Sequence, residues 1–167
     1  MVVVAMMIHN RMNILLGILL FGMFIHASTV IAEDRVIGTV KSVNDHAFII
    51  RGDERIRCQI GDAIFEHDAL ETDESGALGV TLKDNTRLSL GPKSYLTVNE
   101  FLFNPQQEQY SLVTKILRGT LVYLSGIIAK LSPESVSITT PTATVGIRGT
   151  RLVIRIDPEE DRANQDS

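Results

Sequence analysis

Short runs in which apolar and polar residues alternate recur along the chain from Val36 onward. The clearest are Ala77–Leu82 and Arg87–Leu90, which have a leucine or valine at every second position and are separated by the polar segment Lys83–Thr86. Alternation with a period of two places the apolar side chains on one face of a β-strand, and a short polar segment between two such runs favours a turn. These residues therefore predict a β-hairpin.

Other segments of the same character predict further strands. They are Ala47–Ile50, Arg55–Ile60, Leu96–Val98, Ser111–Leu117, Thr120–Leu124, Val136–Thr140 and Leu152–Ile156. Arg51–Glu54 contains a turn-forming Gly-Asp pair and predicts a second hairpin loop. Because glycines interrupt the apolar stretch after Ser111, we expect two strands and one helical turn near Ile127–Leu131 there. The predicted fold is all-β, as a sandwich, roll or short solenoid of many short strands with at most one short helix.

The N-terminus has a different pattern. Arg11 precedes an uncharged apolar run over residues 14–25, residues 26–29 are more polar, and Ala32 is followed at once by Glu33. A basic start, an apolar centre, a small residue and then acidic residues are typical of a secretory signal peptide. We expect residues 1–32 to be a signal peptide cleaved after Ala32, with export to the periplasm. Two alternatives stay open, an uncleaved membrane anchor and secretion, and Met7 is a candidate start.

The charge distribution narrows the set of partners. The chain has 16 basic and 20 acidic residues, and Arg11 is the only charged residue before Glu33. Removal of residues 1–32 would therefore leave 15 basic and 20 acidic residues, a net charge of −5 instead of −4. Since no basic patch stands out, we expect neither a nucleic-acid partner nor binding to an anionic membrane surface. Residues 33–156 are expected to form one domain, and the charged residues 157–167 a disordered tail.

Few residues are candidates for chemistry. Cys58 is the only cysteine, so an internal disulfide and a four-cysteine metal site are excluded, and its alternation with Ile56 and Ile60 predicts a buried thiol. His67 stands between two acidic residues, but adjacent strand residues point to opposite faces, so we expect a polar loop and no metal or cofactor. Nucleophile elbows, zinc-protease motifs, phosphate loops and dinucleotide fingerprints are absent from the sequence. We therefore expect no enzymatic activity.

Two stretches resemble the FecR domain, a bacterial periplasmic module. The first is Gly61–Leu90, with a Gly-Asp pair, a small-residue strand and a turn, in which Asn85 replaces the usual glycine. Asn can replace glycine because it tolerates the left-handed backbone region. The second is Thr140–Thr150, which resembles the Thr-Pro-x-Ala and apolar-Arg-Gly-Thr ending of the family. Together with Leu117–Leu121, the resemblance covers about residues 36–156.

The second stretch supplies the candidate site. Gly146 and Gly149 flank Arg148, and we expect these glycines and Thr150 to form a sharp structural turn. One interpretation is that Arg148 is structural and bonds loop carbonyls or a carboxylate such as Asp62. The other is that Arg148, with Asp62, binds a ligand through a carboxylate or sugar group.

The resemblance implies a sensor or relay and not a complete regulator. In well-known FecR proteins a cytoplasmic segment contacts a sigma factor and the periplasmic part receives a signal from an outer-membrane transporter. The sequence before residue 14 leaves no room for that cytoplasmic segment, so we do not expect anti-sigma activity. The leading hypothesis is a non-catalytic, signal-sensing binding module for an envelope protein or polysaccharide. The alternative is a structural or surface-assembly envelope protein, while an exported hydrolase using Asp62, His67 or Asp68 is a third hypothesis.

Overall fold

A computed structural model describes residues 35–148 and 151–156. Its strands are β1 (Val36–Asn44), β2 (Ala47–Arg51), β3 (Glu54–Arg57), β4 (Ala63–Phe65), β5 (Ala69–Thr72), β6 (Ala77–Leu82), β7 (Arg87–Leu90), β8 (Tyr95–Asn104), β9 (Gln109–Leu124), β10 (Val136–Thr139), β11 (Thr144–Gly146) and β12 (Arg151–Ile156). One short helix, α1 (Ile128–Leu131), is followed by a 3-10 turn at Pro133–Ser135. The expected all-β class with one short helix is confirmed. The predicted signal peptide and tail lie outside the described residues.

The strands form one curled sheet that has two halves. The first half has the order β3-β2-β5-β8-β9-β10-β11 and the second has the order β12-β9-β7-β6-β1-β4, so β9 belongs to both. All pairs are antiparallel except β9 with β10. Buried side chains from both halves form a single apolar cluster, which makes the arrangement a roll. None of the helices among the described residues is long and apolar enough to cross a membrane.

Both predicted hairpins are present. Arg51 pairs with Glu54 across the first, and Gly52 in its loop has a φ of 57°. In the second, Asn85 has a φ of 66°, so Asn here adopts the left-handed conformation in which glycine is usual. The turn chemistry of the sequence therefore fixes the register of these two pairs.

The prediction of separate strands at Ser111–Leu117 and Thr120–Leu124 was wrong. They are one strand of 16 residues, β9, which continues through Gly119 with a φ of 87°. A Cβ at Gly119 would lie 2.3 Å from Ser94 Oγ and 2.4 Å from Ser94 Cα, so only glycine lets the two chains approach this closely. Ser94 Oγ donates to the Gly91 carbonyl at 2.8 Å and accepts from Thr120 N at 2.9 Å. Gly119 thus bends β9 between the two halves instead of ending it.

A buried carboxyl group joins the β6–β7 turn to the start of α1. Asp84 is completely buried, and its oxygens accept hydrogen bonds from Thr86 N at 3.0 Å, Thr86 Oγ1 at 2.7 Å and Ile128 N at 3.3 Å. Its backbone carbonyl accepts from Ile127 N at 2.7 Å. Gly126 packs so closely that a Cβ would lie 2.5 Å from Asp84 Oδ2. The polar group is buried at low cost because its bonds are made inside the protein.

The predicted burial of Cys58 is confirmed, with 5% of its surface exposed. The prediction that Ile60 shares its buried face was wrong, because Ile60 is 71% exposed. Strand β3 ends at Arg57, and residues 59–62 form a turn in which Asp62 N donates to the Gln59 carbonyl at 3.2 Å. Burial, and then the charges of Asp62 and Asp68, raise the pKa of the Cys58 thiol to about 11. The thiol is therefore almost entirely protonated at neutral pH, which disfavours reactions that need the thiolate.

The bend of β9 gives a stability prediction with a matched control. Gly119→Ala would place a Cβ in contact with Ser94 and force alanine into a positive φ, so we expect a loss of more than about 2 kcal/mol in the free energy of unfolding. Gly146→Ala meets no atom within 4 Å and has no positive φ, so it should change stability by less than about 0.5 kcal/mol. Urea unfolding followed by circular dichroism measures both. Equal effects of the two substitutions would contradict this account of the bend.

Candidate functional site

Arg148 lies at an open groove beside the last strands of the first half. The groove has a volume of about 490 Å³ and is lined by Pro133, Glu134, Val136, Gly146, Ile147 and Arg148. Val136 and Ile147 are buried and supply an apolar floor, while Arg148 is exposed. In the described part of the chain, no hydrogen bond or ion pair involves the Arg148 guanidinium. We call this surface the Arg148 groove.

Local backbone contacts give the Arg148 groove its shape. Ile147 N donates to the Val136 carbonyl at 3.3 Å, which continues the β10–β11 pairing beyond Gly146. On the other side, Ser132 Oγ donates to Glu134 Oε1 at 2.5 Å in the 3-10 turn. This hydrogen bond lowers the pKa of Glu134, because it stabilises the ionised form. The groove therefore presents one positive and one negative group around an apolar floor.

The structure does not bring Asp62 and Arg148 together. Asp62 precedes β4, which pairs with β1, whereas Arg148 follows β11, which pairs with β10. Asp62 Oδ2 accepts a hydrogen bond from Gln59 N at 2.7 Å and so closes its own turn. Asp62 thus has a local structural contact, and the suggested ion pair with Arg148 is not formed. A role for either residue in binding stays a prediction.

The glycines next to Arg148 differ from the expected turn. Gly146 is the last residue of β11, lies outside the positive-φ region, and has space for a Cβ. Its conformation therefore does not require glycine, and the chain is still extended where a sharp turn was expected. Gly149 and Thr150, the other members of that predicted turn, lie outside the described residues.

A second polar surface lies on the outer face of the first half. The register places five side chains in one row across adjacent strands: Arg57, Phe48, Glu71, Tyr95 and Arg118. The row could not be found from the sequence, because its members come from separate strands and meet only through the register.

Glu71 is the centre of this row. Its Oε2 accepts from Arg55 Nε at 3.0 Å and its Oε1 accepts from Arg118 at 3.0 Å. The Arg55 guanidinium also lies 3.3 Å from the centroid of the Phe48 ring, and that of Arg118 lies 5.1 Å from the Tyr95 ring. Stacking on a ring and pairing with a carboxylate hold both arginines in place. Arg55 lies outside the row, two residues before Arg57 in β3. Because Arg55 and Arg118 both already pair with Glu71, this surface is a weaker candidate for a ligand than the Arg148 groove.

An open polar depression of about 530 Å³ adjoins the row. It is lined by His46, Glu71, Thr72, Asp73, Glu74, Ser75, Lys93 and Arg118. His46 Nδ1 lies 3.3 Å from Asp45 Oδ1 and 3.6 Å from Asp73 Oδ2. No group of three or more His, Cys, Asp or Glu side chains in residues 35–148 and 151–156 has the arrangement of a metal site.

The two acidic residues next to His67, Glu66 and Asp68, each accept hydrogen bonds from other parts of the fold. Asp68 is 1% exposed and accepts from Arg51 Nε at 2.9 Å and from Phe65 N at 2.8 Å. Glu66 Oε1 accepts from Phe101 N at 2.9 Å. His67 is exposed and has a φ of 70°, so these residues form a turn and not the strand on which Glu66 and Asp68 would share a face. Since both carboxylates are used in holding the fold, this segment has no visible arrangement for catalysis.

Comparison with known proteins shows which family the chain belongs to. Searches of curated proteins and of solved structures gave no match. The family model described as FecR protein matches residues 68–165, which begins at the buried Asp68 and includes the Asp84 turn, the bend at Gly119 and the Arg148 groove. Because this match spans more than half of the chain, the protein belongs to the FecR family, which is a regulatory and signalling family.

Proposed function

We propose that this FecR domain is an exported, non-catalytic module that senses a signal in the periplasm by binding a partner in the cell envelope. Membership of a signalling family supports a role in signal transduction. The pattern of residues 11–34 supports export, since a basic residue, an apolar run and a small residue precede the first acidic residues.

The observation that carries the proposal is the exposed Arg148 at the rim of an apolar groove. A guanidinium next to apolar surface, with donors that no described residue uses, is suited to a partner that offers a carboxylate and some apolar surface. Apolar contact would supply affinity, while the planar donors of Arg148 would fix the orientation of the carboxylate. Glu134 also lines the groove, and because its pKa is lowered it would repel a second carboxylate. The groove thus favours a partner with one acidic group placed at the Arg148 end.

Export can be tested directly. Alkaline phosphatase folds into an active enzyme only outside the cytoplasm, so a fusion after residue 156 should be active, and deletion of residues 1–32 should abolish that activity. Mass spectrometry of the processed product should show Glu33 as the first residue. Activity that survives the deletion would contradict export. An active product that keeps residues 1–32 in the membrane fraction would instead support the uncleaved anchor.

Binding at the Arg148 groove is testable by photo-crosslinking in cells. A photoreactive amino acid at position 146, where a side chain meets no neighbour within 4 Å, should form a specific crosslink to an envelope component. Arg148→Ala should reduce its yield about tenfold or more, because a charge-assisted hydrogen bond contributes roughly 1.5–3 kcal/mol.

The control for this experiment is Arg87→Ala, which removes an exposed arginine from β7 in the other half of the sheet. It should leave the crosslink unchanged, and a photoreactive residue at the exposed Ser89 should give none. An unchanged yield with Arg148→Ala, or equal loss with Arg87→Ala, would refute the role of the groove.

A further inference from the structure

The polar depression beside Glu71 lies where the β1–β2, β5–β6 and β7–β8 loops meet. Asp73 joins the three loops, because Asp73 N donates to the His46 carbonyl at 3.1 Å and the Asp73 carbonyl accepts from Lys93 N at 2.9 Å. The chain on both sides of every lining residue belongs to the described part of the protein. The volume of about 530 Å³ lies within the range of ligand sites, roughly 300–1,000 Å³. Backbone contacts thus give the depression a defined shape and a size that suits a ligand.

The charged side chains of the polar depression pair with cations on its rim or within it. The pairs are Glu71 with Arg118 at 3.0 Å, Asp73 with Arg55 at 3.4 Å and Glu74 with Lys93 at 3.2 Å. With a neutral histidine at position 46, the formal charges of these pairs cancel. An ion of either sign would meet a like charge beside every opposite one, so the surface disfavours a charged ligand.

Paired groups can still bind hydroxyl groups. An ammonium and a guanidinium each have several donors, and each carboxylate oxygen accepts more than one hydrogen bond. Lys93 and Glu74 pair with each other, and both are exposed to solvent. A hydroxyl group is a donor and an acceptor at once, so two neighbouring hydroxyls can bond a cation and its carboxylate together. Binding of this kind leaves the ion pair intact.

We propose that the polar depression binds a neutral sugar unit of a polysaccharide through pairs of neighbouring hydroxyl groups. The Glu74–Lys93 pair bonds one set of hydroxyls and the Glu71–Arg118 pair bonds another. The ion pairs and the backbone contacts hold these groups in place before the sugar arrives, which reduces the entropy lost on binding. Because the depression is open, the sugar chain can continue beyond it. Arg148 does not line this surface, so the proposal is independent of the proposed function.

Titration of the full-length chain with neutral tetrasaccharides, followed by NMR, tests the proposal. The probes are cellotetraose, laminaritetraose and maltotetraose, and tetragalacturonic acid is the charged comparison. At least one neutral probe should shift the amides of residues 46, 71–75, 93 and 118. That probe should bind at least about tenfold more tightly than tetragalacturonic acid.

Two double variants separate hydrogen bonding from charge. Glu74→Gln with Lys93→Gln should keep the affinity for the neutral probe within about threefold, because amides retain donors and acceptors. Glu74→Ala with Lys93→Ala should weaken binding about tenfold or more, because the hydrogen bonds to the sugar are lost. Equal losses in these two double variants would overturn the proposal.

The control is Lys41→Ala with Glu54→Ala, which removes an exposed pair of opposite charges away from the polar depression. It should leave the affinity unchanged, and circular dichroism should show the native fold in every variant. The absence of shifts with all neutral probes, tighter binding of tetragalacturonic acid, or an equal loss in the control would each overturn the proposal. Shifts confined to the Arg148 groove would also overturn it, while leaving the proposed function in place.

Discussion

The carboxyl group of Asp84 is the contact on which the arrangement of the candidate site depends. It is completely buried, and two elements distant in sequence meet on it, the β6–β7 turn and the beginning of α1. Polar groups are costly to bury without partners, so all the donors that surround Asp84 must be in place together. Gly126 allows this approach, since any larger residue would overlap Asp84. From α1 the chain continues through the 3-10 turn, β10 and β11 to Arg148. The position of the Arg148 groove therefore depends on this buried contact.

The residues that carry the family resemblance are mainly structural. Asp84 accepts the hydrogen bonds that stabilise the β6–β7 turn, and Asn85 adopts the left-handed backbone conformation in that turn. Gly119 allows the bend in β9. Ser94 packs on that bend and bonds both Gly91 and Thr120. Arg148 also lies in a stretch that resembles the family, but its side chain is exposed to solvent. The family pattern therefore contains residues that hold the sheet together and one exposed candidate for binding.

Local patterns predicted the hairpins, the burial of Cys58 and the short helix, because these depend on alternation and turn residues near each other in sequence. The same patterns failed at Gly119, where the sequence suggested an end and tertiary packing against Ser94 instead produces a bend. The suggested pairing of Asp62 with Arg148 also failed, because the Asp62 carboxylate accepts a hydrogen bond from the backbone N–H of Gln59, three residues earlier. The sequence singled out Arg148 as a candidate because it stands between two glycines, and its role in binding stays a prediction. The groove beside it and the row around Glu71 depend on the strand register, which a single sequence does not reveal.

Hydrogen exchange of Asp84→Ala tests the central claim, that one buried carboxyl group fixes the segment leading to the Arg148 groove. The substitution leaves the N–H groups of Thr86 and Ile128 without their acceptor, at a cost of about 1–3 kcal/mol for each buried donor. We predict that amides of residues 127–138 exchange at least about tenfold faster relative to those of β2 and β5, and that the exposed control Asp53→Ala changes neither set. A uniform acceleration across the sheet, or no change in residues 127–138, would contradict the account.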